Sequence, residues 1–194
     1  MTTGTPITAR RFLLLVYRMP ATPTAGRVAV WRNLKKIGAV YLQDSACVTP
    51  DTAALRRELS PILERIDAAE GRYHLLPLRK LPLDEEQKLV SLFVEQTADH
   101  YREIIENCEV NFAKEIEFEH FRKNFTYEEA EEIRMDFEKI CTWFERVQER
   151  DWFGAPNHDE ARDWLRRSEE LLEGFEEKVF EVNATDQAPP ASSK

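Results

Sequence analysis

One short apolar run, cut off by a proline and followed by segments that switch between strand and helix periodicity, constrains this chain most. Phe12–Tyr17 (FLLLVY) is continuously apolar, as in a strand buried on both faces, and Met19-Pro20 ends it. The loop Ala21–Pro23 leads to Thr24, a helix N-cap residue. From there Val28, Trp31, Leu34 and Ile37 recur at spacings of three, one apolar helix face, and Gly38 closes the helix. Ala39–Leu42 and Ser45–Val48 read as two strands joined by a turn at Gln43-Asp44. Pro50-Asp51 stops the second strand, and Asp51 is placed to cap the next helix. That helix carries Leu55, Leu59, Ile62, Leu63 and Ile66 on one face; Pro61 inside it predicts a kink or a late start, and Gly71 its end. Tyr73–Leu78 is the last strand, with Pro77 marking an edge or a bulge.

Strand, helix, strand, strand, helix, strand predicts an α+β fold, a ferredoxin-like βαββαβ module over residues 10–82. Its helices cover one sheet face. The other face is exposed, or is covered by a homodimer partner or by the rest of the chain.

From Asp84 the texture changes, with only Gly154 and Gly174 as glycines and no convincing strand. Asp84–Phe121 is a long helical run that breaks near Asn111. Phe125-Thr126 opens a second helix, where Thr126 and Glu129 form a capping box and Phe125 a hydrophobic staple. After the loop DWFGAPN, Asn157 and Glu160 form another capping box for a third helix. Residues 83–182 therefore read as an antiparallel helical domain, 183–194 as a disordered tail and 1–9 as a frayed start.

Charge divides along the same line. Residues 1–82 hold 13 Lys/Arg against 6 Asp/Glu, net +7, and residues 83–194 hold 14 against 30, net −16, which together make the chain's −9. A basic front and an acidic back imply two surfaces with different partners, or halves that attract each other. The net charge argues against nucleic acid or an anionic membrane binding the whole surface. Cys47, Cys108 and Cys141 form no CxxC, the pattern of buried thiols in a reducing compartment. No apolar run approaches the ~18 residues of a membrane span. Arg10-Arg11 before FLLLV has the outline of a twin-arginine export signal, but the run is too short and stops at Arg18 and Pro20. A cytoplasmic location, away from the membrane, is the expectation.

Several stretches carry a family likeness: LLLVYRMP, then PTAGRV, WRNLKKIGA and LQDSACVTPD, and further on FTYEEAEEI and WFERVQERDWFGAP with a closing helix. Together they resemble the N-terminal domain of the ChrB family, the chromate-resistance regulators, over most of residues 11–182. WRxLKxxGA with LQD and RDWFGAP is specific in combination, while each alone is weak. The first half is similar, more distantly, to the ferredoxin-like module of phenylacetate-type repressors and of CRISPR adaptation nucleases. Those nucleases carry an acidic metal ligand at the end of the first strand; here Tyr17-Arg18 stands there, which counts against metal-dependent nuclease chemistry. The resemblance implies a chromate-responsive transcriptional regulator, or a stand-alone relative of its N-terminal domain. The family's usual C-terminal domain is expected to be missing, and no helix-turn-helix is legible.

The candidate site residues are basic. Arg27, Arg32, Lys35 and Lys36 lie on or next to one helix, with Arg18 and the hydroxyls of Thr22 and Thr24 beside its start. They predict a seat for a nucleic-acid phosphate or for an oxyanion such as chromate or sulfate, at a helix end whose free N–H groups favour anions. The structural alternative is a solvated helix face opposite Val28, Trp31 and Leu34. Arg10, Arg11, Arg72, Arg79 and Lys80 widen the patch if the strand ends meet on one side. Asp44 is either turn chemistry or a partner orienting Arg32 or Arg18.

Glu117 and His120 have the i, i+3 spacing of di-iron carboxylate bundles, but only one copy is present and a solvated acidic face is the simpler reading. Trp143-Phe144, Trp152-Phe153 and Trp164 read as core and loop packing. No Ser/His/Asp triad, phosphate-cradling glycine loop, cofactor motif or metal set is legible. The expectation is a regulatory binding protein, not an enzyme. The alternatives are a protein–protein interaction module and, last, a metal-binding enzyme built on the helices.

Overall fold

The computed structural model describes residues 11–22 and 24–186; Arg10 and Pro23 lie outside the described residues, as do residues 1–9 and 187–194. The elements run β1 (Phe12–Arg18), α1 (Thr24–Lys36), β2 (Val40–Gln43), β3 (Ala46–Pro50), α2 (Ala53–Ala68), β4 (Arg72–Leu78), α3 (Leu83–Glu106), a π-helical turn (Asn107–Phe112), α4 (Ala113–Arg122), α5 (Tyr127–Gln148) and α6 (His158–Asp186). The chain divides into two compact units that meet within α3, between Gln96 and Thr97. The sequence pattern places the junction at 82/83, where α3 begins. α6 runs to Asp186, past the expected start of the tail, and Asn183 within it donates to the carbonyls of Phe125 and Val179.

In the first unit the sheet order is β2-β3-β1-β4, all neighbours antiparallel, which is the expected ferredoxin-like βαββαβ arrangement. Residues opposite one another in a ladder share a face. Leu15 therefore lies with Cys47 and Leu75, and Leu14 with Val48 and Leu76. On the first of these faces Leu13, Leu15, Cys47 and Thr49 are buried, and Lys35 of α1 lies over the Tyr41 ring. The helices bury Val30 and Leu34 from α1, and Leu55, Leu59, Ile62 and Ile66 from α2. On the other face Phe12 stacks on Phe93 of α3 at 6.0 Å. β1 is thus buried on both faces only at its start: Val16 is 38% exposed and its neighbour Leu76 on the same face 48%.

Several local expectations are corrected. The inward stripe of α1 is Val30 and Leu34, and Trp31 points out. The hairpin turn is Asp44-Ser45, with Gln43 still in β2. Thr52, not Asp51, caps α2, its hydroxyl accepting from the Leu55 N–H at 3.1 Å, while Asp51 pairs with Arg56. Pro61 sits inside a helix that starts on time at Ala53. Gly38 ends α1 as expected: it is left-handed (φ 78), and the paired bonds Ala39 N–H to Leu34 C=O and Gly38 N–H to Lys35 C=O form a Schellman motif. At the end of α2 the left-handed residue is Glu70 (φ 57), not Gly71. Gly71 is needed for space instead, because a Cβ there would lie 2.7 Å from Ile66 Cγ2 and 2.9 Å from the Arg18 carbonyl oxygen.

The second unit is helical. Tyr101, Ile104, Cys108, Phe112, Ile116, Ile133, Ile140, Ala161, Leu172, Phe175 and Val179 form its core, with Trp143 and Trp164 packed against it. The break foreseen near Asn111 is the π-helical turn. Thr126 caps α5 as expected, accepting from Glu129 N–H, but the Glu129 carboxylate turns to Asn124. The Asn157 side chain does not cap α6; it donates to the Ala98 carbonyl at 2.9 Å. In the preceding loop Asp151 holds the N–H groups of Gly154 and Ala155, and Gly154 takes φ 76.

Candidate functional site

β1 ends and β4 begins on a like-charge pair. The register sets Arg18 directly opposite Arg72, although 54 residues separate them in sequence. Like charges set directly opposite each other on paired strands are destabilising unless something neutralises them. Gly71 lets the α2–β4 link pass against the Arg18 carbonyl, which places Arg72 there. Arg27 arrives from the first turn of α1. Together Arg18, Arg27 and Arg72, with Met19, Pro20, Ala21 and Glu70, line a cleft of about 480 Å³. Glu70 is its single carboxylate against three guanidiniums. Among the described residues none of the three arginines is held in an ion pair.

A second cleft of about 340 Å³ shares Arg18, Met19 and Arg27 with the first and adds Tyr17, Thr24, Val28, Trp31, Asp44 and Ser45. The two are halves of one groove at this end of the sheet. Asp44 lines this cleft together with Arg18, and among the described residues the two form no ion pair. The Tyr17 and Tyr41 hydroxyls lie 2.9 Å apart. Burial raises both above the ordinary tyrosine range, so they stay protonated hydrogen-bonding groups at neutral pH.

Of the predicted basic residues, Arg18, Thr24 and Arg27 come together. Lys35 and Lys36 do not join them: they occupy the last turn of α1, ~13 Å along the axis at 1.5 Å per residue from Arg27. There they face the negative end of the helix dipole. Lys35 also donates to Gln96 Oε1 at 3.1 Å and lies 5.6 Å over the Tyr41 ring. Arg32 is exposed on α1 and lines neither cleft. Arg11 and Arg79 sit at the opposite end of the sheet, where both act on Asp51. The strand ends thus split the basic residues between two sites. Arg72, Trp31, Met19 and Glu70 were not singled out as core members of the site; only the strand register, which no local pattern encodes, could have found Arg72.

The other candidate groups are placed elsewhere. His120 packs edge-on against the rings of Phe125 and Phe175, at 5.2 and 5.5 Å. Among the described residues no group of three or more His, Cys, Asp or Glu side chains is placed to hold a metal ion. Burial pushes the Cys47 thiol up to about 12 and the Cys141 thiol up to about 11, away from the reactive thiolate. A cleft of about 300 Å³ beside the π-helical turn is lined by Asn107, Asn111, Glu115, Asp136, Lys139 and Trp143, and its Asp136 and Lys139 pair with each other at 2.6 Å. Among the described residues no helix is long and apolar enough to cross a membrane.

Residues 27–186 match the family model described as "Protein ChrB, N-terminal". Over 86 residues the chain is 29% identical to Protein ChrB of Cupriavidus metallidurans, a stretch that covers 44% of this chain and 26% of that protein. The matched stretch spans about a quarter of the relative's length.

Proposed function

The chain belongs to the ChrB N-terminal family, a chromate-resistance-associated family, and from that premise we propose that it is a regulatory protein whose basic module binds an anion or a nucleic-acid backbone, and not an enzyme. The reading is carried by the three guanidiniums of Arg18, Arg27 and Arg72 around one groove. Two of them are set opposite each other on neighbouring strands, an arrangement that costs stability in the free protein and is relieved when an anion sits between them. The Thr24 hydroxyl and the start of α1 add neutral donors. Arginine suits the role because its planar fork meets phosphate and other tetrahedral oxyanions with two parallel bonds. Chromate and sulfate share that geometry with a phosphodiester, so a DNA site and an effector site can be the same groove.

The test is fluorescence anisotropy with labelled DNA over a salt series, repeated with sulfate and chromate as competitors. Binding that weakens steadily with salt and is lost in the Arg18→Glu/Arg27→Glu double variant is the expected result. Binding at low salt that survives the double variant would place the anion site elsewhere.

A second reading, an interaction module, is favoured by the uncovered sheet face at Val16 and Leu76. Light scattering distinguishes it: self-association through that face persists at high salt and is abolished by Val16→Glu, whereas assembly through opposite charges loosens as salt rises.

A further inference from the structure

The groove holds more than an oxyanion needs. Trp31 is 49% exposed although its helix buries Val30 and Leu34 one residue before and three after it. The indole lines the groove with Met19 and Val28, in the cleft that Arg18 and Arg27 also line. A tetrahedral anion has no use for an aromatic face, a thioether and a valine. It is also repelled by Asp44, which lines the same half of the groove. A nucleotide uses all of these: its phosphate sits on guanidiniums, its base stacks on an aromatic ring, and a carboxylate accepts from a base amino group.

We infer that the groove seats a nucleotide, either free or as an unpaired unit of a strand. Its phosphate lies at Arg18, Arg27 and Arg72, its base on Trp31, and Asp44 accepts from the amino-bearing edge of the base. The inference rests on the anion reading of the same groove and gives it a ligand class. The two halves suit the division: three arginines and one carboxylate line one, and Met19, Val28, Trp31, Tyr17 and Asp44 contribute to the other. Bases inside a duplex are already stacked and paired, so Trp31 can act only on an unpaired one.

Four probes bound to the full chain test it by calorimetry: inorganic phosphate, guanosine 5′-monophosphate, a mixed-sequence single-stranded oligonucleotide and its duplex. The nucleotide or the single strand should bind more tightly than phosphate. Trp31→Ala, at an exposed helical position that alanine suits, should weaken that binding about 5- to 150-fold, the span that base–aromatic stacking supports. It should leave phosphate affinity unchanged, and Trp31→Phe should restore most of the loss. Guanosine monophosphate binding as tightly as the strand identifies a free nucleotide as the ligand; tighter, salt-dependent binding of the strand identifies an unpaired segment. If Trp31→Ala binds nucleotide and strand as the native chain does, while Arg27→Glu loses them, stacking is refuted and the anion reading stands. Binding of the duplex alone also refutes stacking. If nucleotide and strand bind no more tightly than phosphate, the nucleotide inference falls and the anion reading stands; if no probe binds, or Arg27→Glu changes nothing, both readings fall.

Discussion

Replacing Arg72 with glutamine should make the protein more stable and its groove weaker, two effects that separate function from folding. Arg72 stands opposite Arg18 across β1 and β4, with no ion-pair partner among the described residues. Two unit charges at a separation of about 6 Å in a water-like dielectric would repel by ~0.7 kcal/mol, the scale of other cross-strand side-chain pairs. Glutamine keeps most of the length and removes the charge. For a chain of this size that gain corresponds to a rise in Tm of about 1–4 °C, measured by calorimetry at low salt and shrinking as salt screens the pair. The same change removes one charged hydrogen-bonding partner of a bound phosphate, worth ~1.5–3 kcal/mol, so phosphate or DNA should bind about 10-fold more weakly or worse. The salt slope of DNA binding should fall by about one unit. A lower Tm with unchanged binding would show that Arg72 is held by contacts other than those described, and would refute the like-charge argument.

Gly71→Ala should destabilise by ~1–3 kcal/mol, because its methyl meets Ile66 and the Arg18 carbonyl at under 3 Å; a Tm equal to the native protein's would contradict the packing. Glu115 has its pKa raised, by burial first and by Asp136, Glu129, Glu119 and Glu132 after it. A carboxylate raised in the folded state costs stability above its folded pKa and nothing below its unfolded one. Glu115→Gln should therefore raise Tm at pH 7–8 and leave it unchanged near pH 3. Cys47, buried and pushed up to about 12, should resist alkylation at pH 7.5 in the native chain and react at once in denaturant, with the half-buried Cys141, pushed up to about 11, reacting between the two; fast native labelling of Cys47 would refute its burial as a thiol.

Much of the fold can be read from local signals, because βαββαβ punctuation is local. Met19-Pro20, Gly38 and Pro50 each end an element within a residue or two of where the structure ends it. What failed was competition between near-equivalent residues. Thr52 outcompeted Asp51 as a cap because Asp51 is engaged by Arg56, and Glu70 rather than Gly71 took the left-handed turn because Gly71 is needed where no Cβ fits. The α1 stripe was misplaced because a spacing of three fits Val28–Trp31–Leu34 as well as the true face through Val30 and Leu34; only the sheet beneath decides. The candidate site was half legible for a related reason. A helix with four cations suggests one patch, yet its two ends are a helix length apart, and Lys35 is engaged with Gln96 and Tyr41. Arg72 entered the groove through strand register, a property of the folded sheet and not of any segment.

Salt-dependent binding of labelled DNA by the native chain, set beside the Arg18→Glu/Arg27→Glu variant, addresses the central claim most directly. A groove built from Arg18, Arg27 and Arg72 requires binding at low ionic strength that falls log-linearly with salt and disappears in the variant while its Tm holds. Equal affinity of the two proteins across the series would contradict it.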